Sequence, residues 1–340
     1  MSPRADHPAT HARLADVAKR ANVSAMTVSR ALRAPDQVSE PTRRRIARAV
    51  RDVGYVPNEL AGGLRTYNRT KLVAAIVPSV RNSLFAATSH GMADALRARG
   101  VNLMLGDSHY SPAEEEDLVK AFLAQRPCGI VLHDAVRSTH TRRLLLKSGI
   151  PVVEVGDLTR HPLDMVVSYS NFAAAKAMTR HLIARGYRRI GFASLATAVT
   201  ARSAARLKGY KAALREAGRT TDPAHIVEVE GGFASGGAAL VTLAAAGADA
   251  VFFAGDVLAV GAVLECQRRG WQVPERIAIA SFDDHEIAAQ VTPALTALRI
   301  PRYEIGHRAA ELILDRHHGV TRRAPVVVDL GFEVLARDST

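Results

Sequence analysis

Polar and cationic side chains cluster in the segment ADVAKRANVSAMTVSRAL, Ala15 to Leu32. Its second half presents three hydroxyls, from Ser24, Thr27 and Ser29, and the guanidinium of Arg30. Hydroxyls can hold phosphate oxygens, and an arginine can bind the edge of a guanine through two hydrogen bonds at once. This combination is typical of chemistry on a nucleic acid, although the same side chains can simply face solvent in an ordinary helical hairpin.

The apolar residues around that segment recur at the helical period and predict three short helices. The periodic positions are Leu14, Val17, Ala18 and Ala21, then Val28, Ala31 and Leu32, then Ile46, Ala49, Val50 and Val53. Asn22 lies where the first two helices must turn sharply, which asparagine permits because it tolerates the left-handed region. Ser24 and Ser39 are suitable N-caps. The first two helices then form a helix-turn-helix, whose second helix exposes Ala25 and Met26 for apolar contact with bases.

Positive charge is concentrated at the N-terminal end of the chain. The 340 residues carry a formal net charge of +12, and residues 1–69 hold 13 lysines and arginines against 6 aspartates and glutamates. Such a local excess is expected of a module that binds a polyanion. It favours a nucleic-acid-binding unit at this end of the chain.

From Lys71 onward, short apolar strands alternate with helices. The predicted strands are Leu72–Val77, Val101–Leu105, Gly129–Leu132, Val152–Val155, Ile190–Ala193, Ile226–Val229, Ala250–Phe253 and Ile277–Phe282. Helices are predicted between them, at stretches such as Ala86–Arg99, Pro112–Gln125, Asn171–Arg185, Ala201–Ala217 and Val257–Arg269. Strict alternation implies parallel sheets covered by helices. We therefore expect an α/β core of two doubly wound lobes, with the break near Ser168–Asn171.

Long motifs make the chain similar to the lactose-repressor (LacI) family of bacterial transcription regulators. They are the segment at Ala15 to Leu32, VSEPTRRRI at Val38 to Ile46, GYVPNELAGGL at Gly54 to Leu64, and, later in the chain, VPSVRNSLFA, ARLKGYKAAL, DVLAVGA and PALTALRIPRYEIG. The resemblance covers nearly the whole chain. It implies a small all-α helix-turn-helix headpiece, a hinge helix, and a core like the periplasmic sugar-binding proteins, paired into a homodimer on double-stranded operator DNA.

The resemblance also implies which residues contact DNA. In addition to the recognition helix, these are Leu14, Ser39, Thr42, Asn58, Ala61 and Leu64. Leu64 matches the family position that wedges into the minor groove, where unstacking a base step is repaid by the bend it permits. Gly62 and Gly63 depart from the longer side chains of the family, and two glycines destabilise a helix by roughly 2 kcal/mol relative to alanine. We expect this hinge helix to form only on DNA, although a flexible linker is the alternative.

In the family a small effector binds between the two lobes. The matching positions all follow carboxyl ends of predicted strands or open a helix near them, where open α/β sheets bind ligands. They are Ser79, Phe85, Asp157, Arg206 and Asp283. The two aspartates can accept hydrogen bonds from vicinal hydroxyls, the ring can lie against a carbon backbone, and the guanidinium can hold an anion or hydroxyl.

A narrower resemblance concerns gluconate-utilisation repressors within the family. It is carried by RPCGIVLHD, GIPVVEVGDLTRHPLDMVV, LECQRRG and IAIASFDDHEIA. Arg202 lies four residues before Arg206, so a helix would place both guanidinium groups on one face, where they can clamp a carboxylate. Ser170 and Gly255 depart from the family, which has Asp and Asn there. The alternative is that the two arginines form a solvated helix face.

Other features point away from enzymes, metals and membranes. The sequence has no GxSxG, Walker or GxGxxG motif, so nucleophilic and nucleotide-dependent catalysis lack their usual parts, and we expect neither an enzyme nor a cofactor. Cys128 and Cys266 have no ligand spacing, and His317-His318 and Asp283-Asp284-His285 lack further ligands for a metal. No segment resembles a signal peptide or membrane span, so a cytoplasmic protein is expected.

These observations predict three regions. A headpiece occupies residues 1–57, a hinge helix and linker residues 58–70, and a core for effector binding and dimerisation residues 71–340. Within the core we expect an N-lobe of about 71–168 and 300–325, and a C-lobe of about 169–299 and 326–340.

The leading hypothesis for function is a repressor controlled by a sugar acid such as gluconate. Two alternatives remain: a global catabolite-type regulator with a protein or phosphometabolite co-effector, and a sugar-binding or enzymatic protein on the same core. The headpiece argues against the last.

Overall fold

A computed structural model describes residues 12–56, 70–80, 84–134, 138–320 and 325–340. The chain divides into two compact units, Met1–Thr70 and Lys71–Thr340, called here the headpiece unit and the core unit. The predicted hinge helix, with Asn58, Ala61, Leu64 and the two glycines beside it, lies outside the described residues. None of the described helices is long and apolar enough to cross a lipid bilayer.

Within residues 12–56, the headpiece unit has three α-helices packed around one small apolar cluster. They are α1 (Leu14–Ala21), α2 (Ala25–Arg33) and α3 (Glu40–Val53). The cluster is formed by the predicted periodic positions other than Leu32, with Val17, Val28 and Ile46 fully buried in it. Leu32 was predicted to belong to it but is 38% exposed. Asn22 adopts the left-handed conformation (φ 47°, ψ 54°), so the predicted sharp turn between α1 and α2 is confirmed. This geometry fixes α2 as the second helix of a helix-turn-helix.

The core unit contains two six-stranded sheets. The strands are β1 (Leu72–Val77), β2 (Asn102–Asp107), β3 (Gly129–His133), β4 (Val152–Val155), β5 (Met165–Ser168), β6 (Ile190–Leu195), β7 (Ile226–Val229), β8 (Ala250–Phe253), β9 (Ala278–Phe282), β10 (Thr296–Arg299), β11 (Val326–Asp329) and β12 (Glu333–Leu335). The first sheet has the order β11-β5-β4-β3-β1-β2 and is parallel throughout. The second has the order β12-β10-β9-β8-β6-β7, in which only β12 is antiparallel.

Helices cover both sheets, as the predicted doubly wound architecture requires. They are α4 (Leu84–Arg97), α5 (Pro112–Ala124), α6 (Thr139–Ser148), α7 (Asn171–Ala184), α8 (Ala201–Glu216), α9 (Phe233–Ala245), α10 (Asp256–Arg269) and α11 (Arg302–His317). Alternate residues of β1 show the arrangement. Val73 packs in a cluster with residues of α4 and α11, whereas Ala74 packs in another cluster with residues of α5 and α6. The predicted fold class of two parallel-sheet lobes is confirmed.

Two details of the predicted core need correction. The strands β5, β10, β11 and β12 were not predicted, and residues 326–329 lie at the edge of the first sheet rather than in the C-lobe. Val326 pairs with Met165 of β5. Strand β11 is an edge strand whose residues alternate between partly buried and exposed. It pairs with β5 although about 160 residues of chain separate the two strands, and the sequence does not reveal such a distant partner.

Gly209 allows α8 to lie directly against α7. A Cβ atom at this position would lie 2.3 Å from the carbonyl oxygen of Phe172 and 3.0 Å from the backbone nitrogen of Lys176. Both obstacles are backbone atoms, so a whole helix would have to shift. Because α7 begins at Asn171 and α8 carries Arg206, the same close approach sets the distance between these two side chains.

We expect the substitution Gly209→Ala to lower the free energy of unfolding by about 2 kcal/mol, since overpacking against rigid backbone typically costs 1–3 kcal/mol. Urea unfolding of the full-length chain measures this. Lys208→Ala changes the exposed neighbour on the same helix and should leave stability within about 0.5 kcal/mol of the parent. Equal stability of the Gly209→Ala variant and the parent would show that the helices separate freely.

Candidate functional site

The exposed side of α2 carries the side chains predicted to contact bases. Ser24, Ala25 and Arg30 are exposed, and Met26 is 72% exposed although it is a large apolar residue. Among the described residues, the Arg30 guanidinium has no hydrogen-bond or ion-pair partner. A free guanidinium beside an exposed apolar side chain on one helix is suited to reading base edges in a groove.

Paired hydroxyls mark the first turns of α2 and α3. The Ser24 Oγ accepts a hydrogen bond of 3.1 Å from the Thr27 backbone nitrogen, and the two hydroxyl oxygens lie 2.9 Å apart. Ser24 is thus the N-cap that the sequence predicted. At α3, Ser39 is the N-cap residue without a side-chain cap, and its hydroxyl donates to Thr42 Oγ1 at 3.0 Å. Both pairs lie at helix N-termini, which favour anions such as phosphate.

The remaining predicted residues of the headpiece unit are less exposed. Ser29 and Leu14 are half-buried, and Leu14 packs against the apolar cluster of this unit. Asn58, Ala61 and Leu64 are not among the described residues. The structure therefore brings the predicted polar residues of α2 and α3 to the surface and gives Leu14 a packing role.

A second group of polar residues lies between the two sheets of the core unit. Arg202 and Arg206 stand on one face of α8 and are only 6% and 4% exposed. Neither guanidinium is solvated. They meet residues from the carboxyl ends of strands in both sheets, which is the edge where α/β sheets bind ligands.

Arg206 is held by three neutral acceptors. Its Nε donates to Asn171 Oδ1 at 2.8 Å, its Nη1 to the Ala254 carbonyl at 2.7 Å, and its Nη2 to the Tyr169 hydroxyl at 3.2 Å. The guanidinium carbon lies 3.5 Å from the centre of the Phe282 ring. Among the described residues no carboxylate forms an ion pair with this buried cation.

Asp283 at the end of β9 is paired with an arginine that the sequence analysis did not select. The Arg302 Nε donates to Asp283 Oδ1 at 3.0 Å, and its Nη2 donates to the same oxygen and, at 2.9 Å, to the Tyr169 hydroxyl. Arg302 opens α11, which packs on the first sheet, whereas Asp283 belongs to the second. The pair therefore joins the two lobes.

A second pair across the lobes involves Arg202. Its Nε lies 2.8 Å from Oδ1 of Asp134, which follows β3 of the first sheet. The distance is that of an ion pair, but the N–H is not directed at the oxygen, so neither atom makes a hydrogen bond. The Arg202 guanidinium also lies 5.4 Å from the centre of the Phe85 ring, which meets His133 edge to face at 4.4 Å. Phe85 and Arg202, both predicted effector residues, are thus neighbours in the structure.

Asp157 has a different neighbourhood from the one expected. Its Oδ1 accepts hydrogen bonds from the Asn171 backbone nitrogen at 2.9 Å and from Asn171 Nδ2 at 3.0 Å. Ser170 caps the same helix by accepting from the Ala173 backbone nitrogen at 3.1 Å. Asp157 therefore anchors the start of α7 and positions Asn171 for Arg206. Ser79 follows β1 and is partly exposed.

Several buried polar atoms at this site lack a hydrogen-bond partner. They include His133 Nδ1, Thr200 Oγ1 and Asp283 Oδ2. Such atoms are rare in folded proteins and call for a ligand or an equivalent partner. A small cleft lies beside His133, and its lining residues include Ser108, Tyr110, Asp134 and Val199.

Electrostatics distinguish the arginines. Burial lowers the pKa of Arg206, whose acceptors are neutral. Burial opposes the charge of Arg202 as well, but the attraction of Asp134 outweighs it and raises the pKa. Burial alone would raise the pKa of Asp134, yet Arg202 and His133 hold it below its usual value. Of these two arginines, Arg206 forms no ion pair with a described carboxylate, although the charge of Asp283 favours its charged form.

Comparisons with known proteins agree with this architecture. The family described as bacterial regulatory proteins, lacI family, matches residues 13–58, and a periplasmic binding protein-like domain matches residues 179–340. The chain is 38% identical to the HTH-type transcriptional regulator GntR of Pseudomonas aeruginosa, over 96% of this chain and 95% of that one. It is 36% identical to GntR of Escherichia coli, over 94% and 96%.

The chain belongs to the LacI family. A solved structure of a LacI-family regulator from Silicibacter pomeroyi matches with a TM-score of 0.89 at 30% identity, over 96% of this chain and 99% of that one. The predicted family membership is confirmed, and the protein is a DNA-binding LacI-family transcriptional repressor.

Sequence reasoning missed three polar residues of this LacI-family site. Arg302 lies in the motif PALTALRIPRYEIG, and Asp134 ends the motif RPCGIVLHD. Both motifs carried the family resemblance, but neither residue was given a role. Tyr169, whose hydroxyl is shared by Arg206 and Arg302, gave no signal beyond its place at the predicted break between lobes.

The buried ring of His133 gives a test in acid. Burial, the largest effect, lowers the pKa of His133 to about 4 from an ordinary 6.5. The unfolded chain therefore binds a proton between about pH 6.5 and pH 4 while the folded chain does not. The stability that depends on a neutral His133 is complete above about pH 6.5 and is lost progressively as the pH falls to about 4.

We expect the free energy of unfolding of the parent to fall by about 2–3 kcal/mol more than that of His133→Gln between pH 7.5 and pH 4.5. Urea unfolding of the full-length chain at several pH values measures the difference. His140→Gln removes an exposed histidine of α6 and should keep the acid sensitivity of the parent. Parallel pH profiles for His133→Gln and the parent would contradict the burial of a neutral ring.

Proposed function

We propose that this repressor reads its operator with α2 and that a small sugar acid of the gluconate type, bound between the two sheets of the core unit, controls its operator affinity. We further propose that it acts as a homodimer on a near-palindromic operator, since a two-fold protein requires matching half-sites. As a regulator of chromosomal DNA it would work in the bacterial cytoplasm. The observation that carries the effector proposal is that the buried guanidinium of Arg206 has neutral hydrogen-bond acceptors and, among the described residues, no ion-paired carboxylate.

Charge selects an anionic ligand. In the site, Asp134 is paired with Arg202 and Asp283 with Arg302, whereas Arg206 contacts neutral oxygens only. An arginine has five N–H groups, of which these contacts use three, so two donors remain for a ligand. A carboxylate placed there would balance the charge and accept charge-assisted hydrogen bonds, the stronger kind. A neutral sugar would leave the charge unbalanced.

Hydroxyl groups of a ligand would find partners in the same place. Asp283 Oδ2 is a buried acceptor without a donor, and Thr200 Oγ1 can donate or accept. The face of Phe85 and the cleft beside Asp134 add apolar and polar surface. A chain of hydroxyls ending in a carboxylate supplies both kinds of partner, which agrees with the resemblance to gluconate-utilisation repressors.

Contacts from both lobes would couple the ligand to DNA binding. Arg206 stands on α8 beside the second sheet, and Phe85 stands on α4, which packs on the first. A ligand bound by both sides favours one relative orientation of the lobes. Only such a difference in affinity between orientations can change operator binding, and a typical coupling changes it about 5- to 150-fold.

The test of base reading is Arg30→Ala. We expect it to weaken binding to a selected operator by about 1–3 kcal/mol while changing binding to random DNA much less, because a bidentate base contact is lost. Competition binding at fixed salt measures both affinities. Arg33→Ala removes an equal charge from the last turn of α2 and should weaken binding to the operator and to random DNA by the same factor. Unchanged discrimination in Arg30→Ala would remove this residue from the interface.

The test of the effector is calorimetry of the full-length chain with D-gluconate, its phosphate ester, its 2-keto derivative and glucose. We expect at least one acid to bind about tenfold or more tightly than glucose, and Arg206→Gln to lose about 10- to 100-fold in acid affinity, the worth of a charge-assisted hydrogen bond. Arg206→Lys keeps the charge and should lose less.

Lys208→Gln, an exposed neutralisation on the same helix, is the matched control and should bind as the parent does. Equal binding of glucose and every acid, or unchanged acid affinity in Arg206→Gln, would refute a sugar-acid effector at this site.

A further inference from the structure

We propose that Asp134 is a tethered competitor of the effector: its carboxylate occupies Arg202 in the ligand-free core unit and must be displaced when an acid binds. The inference rests on the proposed sugar-acid function and deepens it. Without ligand the Arg202 guanidinium is paired with Asp134, and with ligand it shares the ligand carboxylate with Arg206. Asp134 therefore sets both the effector affinity and the lobe orientation.

The contact between Asp134 and Arg202 is close but poorly aligned. The Asp134 Oδ1 lies 2.8 Å from Arg202 Nε, yet neither atom makes a directed hydrogen bond. Both side chains are largely buried, at 16% and 7% exposure, so charge holds them together in a place that water screens little. A free carboxylate can orient itself on the guanidinium and form two parallel hydrogen bonds, which the tethered carboxylate does not.

The backbone of Asp134 is also strained. Its φ is 111°, a value that residues with a side chain rarely adopt. Asp134 is held there between Arg202 and Gly156, where an added Cβ would lie 2.9 Å from Asp134 Oδ1. The Asp134 backbone nitrogen also donates to the Val155 carbonyl at 2.9 Å, so the carboxylate is presented to Arg202 from a fixed backbone position.

The contact also crosses between the lobes. Asp134 follows β3 of the first sheet, and Arg202 belongs to α8, which packs against α7 beside the second sheet. Within the described residues the other ion pair between the lobes at this site is Arg302 with Asp283, which keeps Asp283 Oδ2 available. Displacement of Asp134 therefore removes one of two charge contacts that hold the lobes in the present orientation.

The test uses full-length Asp134→Asn, which keeps the shape of the side chain and removes its charge, with D-gluconate as probe in calorimetry. We expect it to bind gluconate at least tenfold more tightly than the parent, while glucose affinity changes less than threefold. Asp117→Asn removes the same charge from an exposed site on α5 and should match the parent. Asp134→Ser is the second variant should the amide destabilise the fold.

Two further measurements need no assumption about affinity. Without ligand, Asp134→Asn should melt at a lower temperature than the parent, because Arg202 is left without a countercharge, and gluconate should raise its melting temperature by more. Its ligand-free operator affinity should also differ from that of the parent in the direction in which gluconate moves the parent.

The outcomes separate the two proposals. If the parent binds gluconate and neither Asp134→Asn nor Asp134→Ser binds it more tightly, the competitor role is overturned and the sugar-acid effector remains intact. Absence of binding by gluconate and the other acids to parent and variants alike would overturn the sugar-acid effector, and the competitor role with it. If gluconate binds to Asp134→Asn but not to the parent, both proposals are supported, because Asp134 then blocks the site in the parent.

Discussion

Three guanidinium groups are buried between the sheets of the core unit, and their need for countercharge governs the surrounding structure. Arg202 is paired with Asp134 and Arg302 with Asp283, whereas Arg206 donates hydrogen bonds to neutral oxygens. Buried charges are costly unless they are paired and fully hydrogen-bonded. Of the three, Arg206 is the guanidinium without an ion-paired carboxylate among the described residues, and the proposal of an anionic ligand rests on this difference.

The same requirement explains the polar residues that touch no arginine. Asp157 accepts two hydrogen bonds from Asn171, and Ser170 caps α7, so the first turn of that helix is fixed at three points. Because Asn171 is held in place, the acceptor for Arg206 is held in place as well. Ser170 and Gly255, which depart from the family pattern, are both N-cap residues here, at α7 and α10. In this chain residue 170 serves as a helix cap.

The chain crosses between the lobes at places that also build the site. The first crossing, between β5 and α7, contains Tyr169, whose hydroxyl receives hydrogen bonds from Arg206 and Arg302. The second, between β10 and α11, ends at Arg302 itself. Tyr169 and Arg302 thus connect the two crossing segments to Arg206 and Asp283.

The sequence by itself determined the family, the helix-turn-helix with its turn at Asn22, and the alternation that makes two parallel sheets, because these depend on local periodicity and long motifs. It also placed Arg202 and Arg206 on one face of a helix. Only the tertiary structure decided that Asp157 anchors a helix, that Arg302 and Asp134 join the site, and that β11 completes the first sheet. Those features arise where the chain returns to a lobe after a long excursion. Pairings between residues more than a hundred positions apart, such as Tyr169 with Arg302, leave no periodic trace in one sequence.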